Sequence, residues 1–477
     1  MNLRNQRVLV VGLGKSGVAS ALFLADRGAK VTVSDAKSEE QLREEIPLLL
    51  DHGISVETGR HGERTFRDQQ LIVISPGVPF DVPQLVQARA LGIPVIGEVE
   101  LAARFLQGRT VAITGSNGKT TTTTLAGEVL STGHRTLVGG NIGTPAITLV
   151  GKDTAETWIV LEISSFQLET VDTFHPHFAV VLNITPDHLD RHHSFENYIA
   201  AKARIFENQT AGDFAVLNAD NEPCVAIASK TKAQVRWFSR LTEVSSGAFL
   251  RCDRIFWRDD KGEREMMPVS EITLKGAHNL ENVLAVVCVG MLAGIETAQI
   301  RRAVAEFRAV EHRLEYVATV GGVEYYNDSK ATNVDATIKA LESFPRGIHL
   351  ILGGKDKGSD YGVLNDLLRQ RVKRLYTIGS AAAKIESQAR GTEIVSAGTL
   401  DVAVRRASEA ATAGDIVLLA PACASFDQFT SYEDRGRVFK ELVRQLAARK
   451  QAGVGSGVTS QPAPTQRGPG TPAGGTE

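Results

Sequence analysis

The chain has 477 residues, of which 43% are hydrophobic and 23% charged, a balance with enough apolar surface for packed cores that excludes a disordered protein. Its formal net charge of −2 and its lack of any dense Lys/Arg block exclude the basic footprint of a nucleic-acid binder or a membrane-surface protein. At roughly 150 residues per domain, the length predicts about three cores.

The opening MNLRNQRVLVVGLG has an apolar stretch too short for a signal-peptide core, and it runs directly into glycines. No later run approaches transmembrane length, so a soluble, cytoplasmic protein is expected. Over 1–96, the runs VLVVG, KVTVSD, ISVET, LIVIS and IPVIGE alternate with helical stretches, which predicts βαβ units around a parallel sheet. Gly12-Leu13-Gly14-Lys15-Ser16-Gly17 follows the first strand, and Asp35 ends the second. That spacing fits a dinucleotide fingerprint, and equally a loop holding the diphosphate of a nucleotide-linked substrate, with Asp35 reading a polar group of the nucleoside.

The pattern restarts over 97–310 with TVAITG, WIVLEIS, FAVVLNI and the helical NLENVLAVVCVGMLAG. After TVAIT comes Gly115-Ser116-Asn117-Gly118-Lys119-Thr120, then a threonine-rich helix turn that includes Thr121. Strand, glycine loop, lysine, threonine and helix direct backbone N–H groups and a helix dipole at phosphate, with Lys119 reaching the β/γ-phosphates and the Thr120 hydroxyl ligating Mg²⁺. Ile113 stands where the usual motif has its first glycine, so the loop is a shortened variant. Glu162 ends the strand WIVLE, where a parallel sheet presents an acid to a metal. In NITPDHLDRHH the absence of Cys and of an HExxH pattern disfavours zinc, and oxygen-bound Mg²⁺ with His188 added suits a phosphate enzyme.

A third α/β set over 311–449 contains VEYYNDS, IHLILGGKD, RLYTIGS and DIVLLAPA, with a helix predicted over YGVLNDLLRQRV. The stretch 450–477, rich in Gly, Pro, Ser and Thr, cannot bury a core and is expected to be disordered. The four cysteines, Cys224, Cys252, Cys288 and Cys423, form no CxxC pair and read as inert thiols of a reducing compartment.

Taken together, GLGKSG, SPGVP, EVEL, ITGSNGKTTTT, GGNIG, LEISSFQLE, LNITPDHLDRH, KARIF, AHNLENVLA, EHRLE, NDSKATN, LGGKDKG and PACASFDQF resemble the Mur ligase family from about residue 8 to residue 440. SSFQLE, DSKATN and PACASFDQF point to its D-glutamate-adding members. The resemblance implies an α/β chain of three domains: an amino-terminal Rossmann-like domain, a central P-loop ATPase-like domain and a carboxy-terminal Rossmann-like domain. It implies an ATP-dependent ligase of peptidoglycan synthesis that phosphorylates the carboxylate of UDP-N-acetylmuramoyl-L-alanine and then joins D-glutamate to it.

By the family pattern, Gly115, Ser116, Asn117, Gly118, Lys119, Thr120, Thr121, Asn279, Asn282, Arg313 and Asp328 serve ATP. Thr120, Glu162 and His188 serve Mg²⁺, two ions being implied, and Lys202 in AKARIF matches a lysine that is carbamylated to bridge them. Lys119, Lys202 and His188 are the implied catalytic residues. Lys15, Ser16, Asp35, Ser75, Asn141, Ser164 and Gln167 match the UDP-sugar side, and Lys330, Thr332, Lys357, Ser425 and Tyr432 match the D-glutamate side. Phe426 replaces the aliphatic residue common after that serine, and Tyr432 stands where Phe is common. The implied protein is a monomer with small-molecule partners only.

Two other readings compete. An NAD-dependent oxidoreductase would use the first glycine loop but leave the second loop and its metal-ligand neighbours without a role. A non-catalytic nucleotide switch would leave LGGKDKG and PACAS unexplained.

Overall fold

The computed structural model describes residues 1–274, 276–308 and 310–454. Val8, Leu9, Val10 and Val11, like Leu71, Ile72, Val73 and Ile74, are aliphatic runs buried on both faces, as the central strands of a parallel sheet must be. Strands β1 (Arg7–Val11), β2 (Lys30–Asp35), β3 (Ser55–Thr58), β4 (Leu71–Ile74) and β5 (Val95–Gly97) pair in the order β3-β2-β1-β4-β5, all parallel. The order reverses between β1 and β4, where ligands of open α/β sheets gather. There the Ser75 hydroxyl donates to the Gly12 carbonyl at 2.8 Å.

The second sheet has nine strands: β6 (Arg109–Thr114), β7 (Thr136–Gly140), β8 (Trp158–Glu162), β9 (Phe178–Val181), β10 (Phe214–Asn218), β11 (Gln234–Ser239), β12 (Gly247–Arg251), β13 (Arg254–Asp259) and β14 (Gly262–Pro268). Their order is β14-β13-β12-β11-β10-β9-β6-β8-β7, so β6, which leads into the phosphate loop, lies between the strands that end in Glu162 and in Val181. The β12-β13-β14 meander is antiparallel and has no counterpart in the strands read from sequence. Charged side chains interrupt its apolar runs, and several of them pair across it: Arg258 bridges Glu243 at 2.9 Å and also meets Glu263.

The third sheet contains β15 (Glu315–Val320), β16 (Val323–Asn327), β17 (Ile348–Gly353), β18 (Val372–Ile378), β19 (Glu393–Gly398) and β20 (Ile416–Leu419), in the order β15-β16-β20-β17-β18-β19. Only the β15–β16 pair is antiparallel. The helix expected over YGVLNDLLRQRV is shorter: a 3₁₀ turn spans Gly362–Leu364, the α-helix spans Asn365–Arg371, and Val372 already belongs to β18. The closing helix runs over Tyr432–Val454, so 450–454 are helical rather than disordered, in keeping with the helix propensities of Lys450, Gln451 and Ala452. The rest of the expected tail, 455–477, lies outside the described residues.

Buried apolar side chains connect the first two sheets into one cluster, in which Val99, Leu101 and Ala102 of the helix Glu98–Ala103 pack with Ile147, Leu149 and Leu168. The clusters around the third sheet begin at Leu314 and include nothing earlier. The connecting helix is pinned by polar groups too. The fully buried Glu100 carboxylate accepts from the backbone N–H of Asp172 (2.9 Å), Thr173 (3.0 Å) and Phe174 (2.9 Å), and pairs with Arg104 at 2.8 Å. Burial alone would raise its pKa, but these donors hold it below the ordinary carboxylate value.

Removing Glu100 strands several buried donors at once. Glu100→Ala should therefore cost about 3 kcal/mol or more at pH 7, measured by urea unfolding. Because the folded pKa is lowered, the stabilisation is present above the unfolded value of about 4.3 and fades as pH falls through the folded value. The gap between wild type and variant should narrow in acid.

Candidate active site

The phosphate loop lies where β6 meets the helix Lys119–Ser131. Gly118 sits at φ 85°, and a Cβ there would strike the Asn282 side chain, so both backbone sign and space require glycine. Tertiary contacts hold the loop open. Asn183 accepts from the N–H of Ser116 through its carbonyl (2.8 Å) and from the N–H of Asn117 through its side chain (2.9 Å). The Ser116 hydroxyl donates to the Thr185 carbonyl at 2.9 Å and lies 3.1 Å from the Tyr198 hydroxyl.

Two lysines converge beneath this loop. Lys119 Nζ donates to the carbonyls of Gly115 and Ser116, each at 2.8 Å, and Lys202 Nζ donates to the same Gly115 carbonyl at 2.8 Å. Lys202 projects from the helix Phe195–Ala203, which Ser194 caps, and lies 4.6 Å above the Tyr198 ring. Burial first, and the neighbouring Lys119 second, drive the Lys202 pKa well below that of an ordinary lysine. Burial likewise lowers Lys119, against the pull of Glu162.

Thr120 is where the middle and third units meet. Its hydroxyl donates to Glu162 Oε2 at 2.7 Å and accepts from Lys330 Nζ at 2.7 Å and Arg313 Nη2 at 3.1 Å. Burial would raise the Glu162 pKa, but Lys330 and Lys119 hold it below the usual range, so the acid is ionised at neutral pH. Arg313 Nε is buried with no partner among the described residues. Burial, then Arg313, push Lys330 down to about 7, and burial pushes Asp328 up to about 7 despite Arg313. An anion entering here would meet unsatisfied cationic donors.

His188 takes a left-handed conformation, φ 53°, at the start of the short helix Leu189–His192. Its ring lies 4.9 Å from Phe166, and its Nε2 is 3.6 Å from Asp187 Oδ2. Among the described residues, the group of three His, Asp, Glu or Cys side chains close enough to share an ion is Glu311, His312 and Glu315, and Lys440 already pairs with both acids. Glu162 and His188 are in no such group. The donors grouped at Thr120 are hard oxygens, a chemistry that fits Mg²⁺ better than zinc.

A cavity of about 250 Å³ opens beside the loop, lined by Asn117, Gly118, Thr121, Asn279, Asn282, Arg313, Asp328 and Lys330. Asn282 donates to Asn279 at 3.1 Å, and Leu314 N–H donates to Asp328 at 3.2 Å. This brings together most of the residues expected at the nucleotide. His278 also lines the cavity, and burial lowers its pKa to about 4, leaving a neutral ring.

The residues expected on the UDP-sugar side divide in two. Lys15 and Ser16 open the helix Lys15–Asp26, whose amino terminus has no side-chain cap. Asp35 braces the loop before it, accepting from the N–H of Leu13 (2.6 Å) and of Lys37 (2.8 Å). Asn141, by contrast, stands against Glu162: its side chain donates to Glu162 Oε1 at 2.8 Å. Ser164 and Gln167 form a capping box that starts the helix Ser165–Leu168.

On the third unit, Lys330 reaches Thr120 and lies 5.1 Å over the Tyr432 ring, nearer the phosphate loop than an amino-acid contact alone would require. Thr332 is the next turn of the same loop, donating its N–H to the Lys330 carbonyl at 2.8 Å. Burial raises the Asp187 pKa, and Lys357, which is exposed, is close enough to help His188 lower it. Ser425 is buried, and its carbonyl accepts from Phe429 N–H at 2.9 Å, while Phe426 is 69% exposed.

Several participants were not singled out in the sequence. Asp335 accepts from Asn117 Nδ2 at 2.5 Å and Thr185 Oγ1 at 3.2 Å, and Asn333 donates to Asp187 at 2.9 Å. Asn333 also caps the helix Val334–Glu342, and the N-cap pattern was its visible signal. Asp187 lay within the acid-rich NITPDHLD stretch but was passed over beside His188.

Comparison with known proteins gives a consistent picture. Residues 6–97 match the family model described as Mur ligase MurD-like, N-terminal domain; 113–290 match the Mur ligase middle domain; and 312–423 match the Mur ligase, glutamate ligase domain. The UDP-N-acetylmuramoylalanine--D-glutamate ligase of Koribacter versatilis is 70% identical over 94% of this chain and 100% of its own length. That of Acidobacterium capsulatum is 60% identical over 93% and 97%. Among solved structures, the UDP-N-acetylmuramate-alanine ligase MurC of Thermotoga maritima is similar at TM-score 0.58 and 20% identity, covering 92% of this chain and 100% of that one. MurF ligase of the same organism, solved with ADP, is similar at 0.59 and 15%, covering 94% and 96%. The two structures speak to the fold alone.

With Lys330 near 7, its amine is mostly neutral at pH 8, and an anion at the phosphate loop raises its pKa again. ATP binding at pH 8 should take up a sizeable fraction of a proton, read from titration calorimetry in buffers of different ionisation enthalpy. Lys330→Met should remove most of that uptake.

Proposed function

The chain belongs to the Mur ligase family, and from that premise we propose that it uses ATP to join D-glutamate to UDP-N-acetylmuramoyl-L-alanine in peptidoglycan synthesis. The observation that supports this most directly is the convergence on Thr120 Oγ1: Glu162 from the end of β8, and Arg313 and Lys330 from the third unit. A nucleotide loop, an ionised acid and two cations from the amino-acid-bearing unit reach one hydroxyl. Such an arrangement supplies the positioning and charge stabilisation that phosphoryl transfer to a second substrate needs.

In the first step, an oxygen of the alanyl carboxylate attacks the γ-phosphorus of ATP. The bond to the bridging oxygen breaks with its electrons moving to ADP, leaving an acyl phosphate. Lys119, Arg313 and the loop amides stabilise charge spread over the transferring group. The neutral amine of D-glutamate then attacks the acyl carbon, the C–O bond to phosphate breaks, and the nitrogen loses a proton to give the amide. Lys330, Thr332, Lys357, Ser425 and Tyr432 are assigned to D-glutamate, whose two carboxylates suit cations and hydroxyls. Lys15, Ser16, Asp35, Ser75, Asn141, Ser164 and Gln167 are assigned to the UDP-sugar side.

Two Mg²⁺ ions are proposed, held by Thr120, Glu162, His188 and modified Lys202; when bound, they supply charge neutralisation between phosphates and acyl group. Lys202 is suited to carbamylation because burial beside Lys119 favours its free amine. That neutral amine adds to the carbon of CO₂ and releases a proton, giving an anionic carbamate whose oxygens can serve as ligands. The chain is proposed to act as a monomer in the cytoplasm, with the boundaries 1–96, 97–310 and 311–449 separating its three working units.

ADP should appear only when Mg²⁺, UDP-N-acetylmuramoyl-L-alanine and D-glutamate are all present, measured by a coupled ADP assay; turnover driven by L-lysine or diaminopimelate instead would overturn the substrate assignment. A Lys202→Ala variant should lose most activity and regain part of it with added short carboxylic acids. Full activity of that variant without them would refute the carbamate.

A further inference from the structure

We propose that Arg191 is a positioning residue that locks the Ser75–Val78 turn of the first unit to the His188 segment of the middle unit, and so sets the binding of the UDP-linked substrate. The inference rests on the function proposed above. Arg191 projects from the short helix that follows His188. Its Nη2 donates to the Val78 carbonyl at 3.2 Å, crossing between units, and meets Glu169 Oε2 at 2.6 Å. The guanidinium also lies over Phe166, with Cζ 4.5 Å from the ring centroid.

Each partner leads toward the substrate side. Val78 closes a turn onto the Ser75 carbonyl at 3.0 Å, so fixing Val78 fixes Ser75. Phe166 stands edge-on to His188 at 4.9 Å, within the segment that Ser164 and Gln167 cap. The second Glu169 oxygen meets His192 Nδ1 at 3.2 Å, which orients the carboxylate that Arg191 grips. The pair is largely buried, with side chains 14% and 19% exposed, and is screened little by salt. One nitrogen, Nη2, makes both hydrogen bonds while the planar guanidinium stacks on Phe166, and that stacking is what a lysine lacks. None of these contacts reaches Thr120, Arg313 or Lys330; the ring contact of Phe166 with His188 is the link toward the proposed Mg²⁺ side, which is why substrate binding is compared without ATP and Mg²⁺.

The test compares wild type, Arg191→Met and Arg191→Lys in steady-state assays, and by calorimetric titration with UDP-N-acetylmuramoyl-L-alanine in the absence of ATP and Mg²⁺. R191M should weaken that binding about tenfold or more, as expected for loss of hydrogen bonds from a charged donor. The KM for the same substrate should rise in step, while the KM values for ATP and D-glutamate stay within about twofold. R191K, keeping the charge but losing the stacking, should fall between. Unchanged affinity, or an equal rise in all three KM values, would overturn the proposal and leave Arg191 a role in stability only. If R191M folds poorly, R191K and Glu169→Gln carry the same comparison. Failure of the wild-type enzyme to turn over this substrate would instead overturn the proposed function.

Discussion

One hydroxyl, Thr120 Oγ1, governs the arrangement of the rest. It is shared by an acid from β8 and two basic side chains from the third unit, and the acid offsets the repulsion between the two. Glu162 alone would be driven toward protonation by burial, and Lys330, buried beside the permanently charged Arg313, is driven toward its neutral form. Together they leave a slightly over-positive nest around a phosphate loop, with an Arg313 nitrogen still unsatisfied. The fold supplies the geometry for this because β6 and β8 are adjacent and parallel, so both of their carboxyl ends open toward the same space.

The parts of this design that are local in the chain were legible in the sequence. The phosphate loop, Glu162 at a strand end and the first glycine loop with Asp35 each belong to a strand–loop–helix unit whose spacing is set by backbone geometry. What escaped were contacts made only by folding. Asp335 reaches Asn117 across 218 residues, and nothing around either residue announces the other. The meander of β12 to β14 escaped for a different reason: charged residues that pair across its strands break up the apolar runs by which strands are recognised. The role of Asp35 also sharpened, from reading a ligand to bracing the loop that would hold one.

Residues assigned to different substrates turn out to be neighbours. Asn141 stands on Glu162 rather than apart from it, and Lys330 stands on Thr120. The residues proposed for sugar, metal and amino acid are therefore not segregated in the fold, and a substitution at Asn141 or Lys330 would disturb more than one of those proposed sites.

The two seams of the molecule are built from different materials. Between the first and middle units the contact is a continuous apolar cluster fastened by Glu100, whereas the apolar clusters of the third unit keep to themselves, and the hydrogen bonds at its seam with the middle unit include Asn117–Asp335, Asn333–Asp187 and the contacts to Thr120. Water can replace polar partners at little net change in free energy, while it cannot replace oil-like contact. The polar seam is thus the cheaper of the two to open, while the greased seam resists separation of the first two sheets.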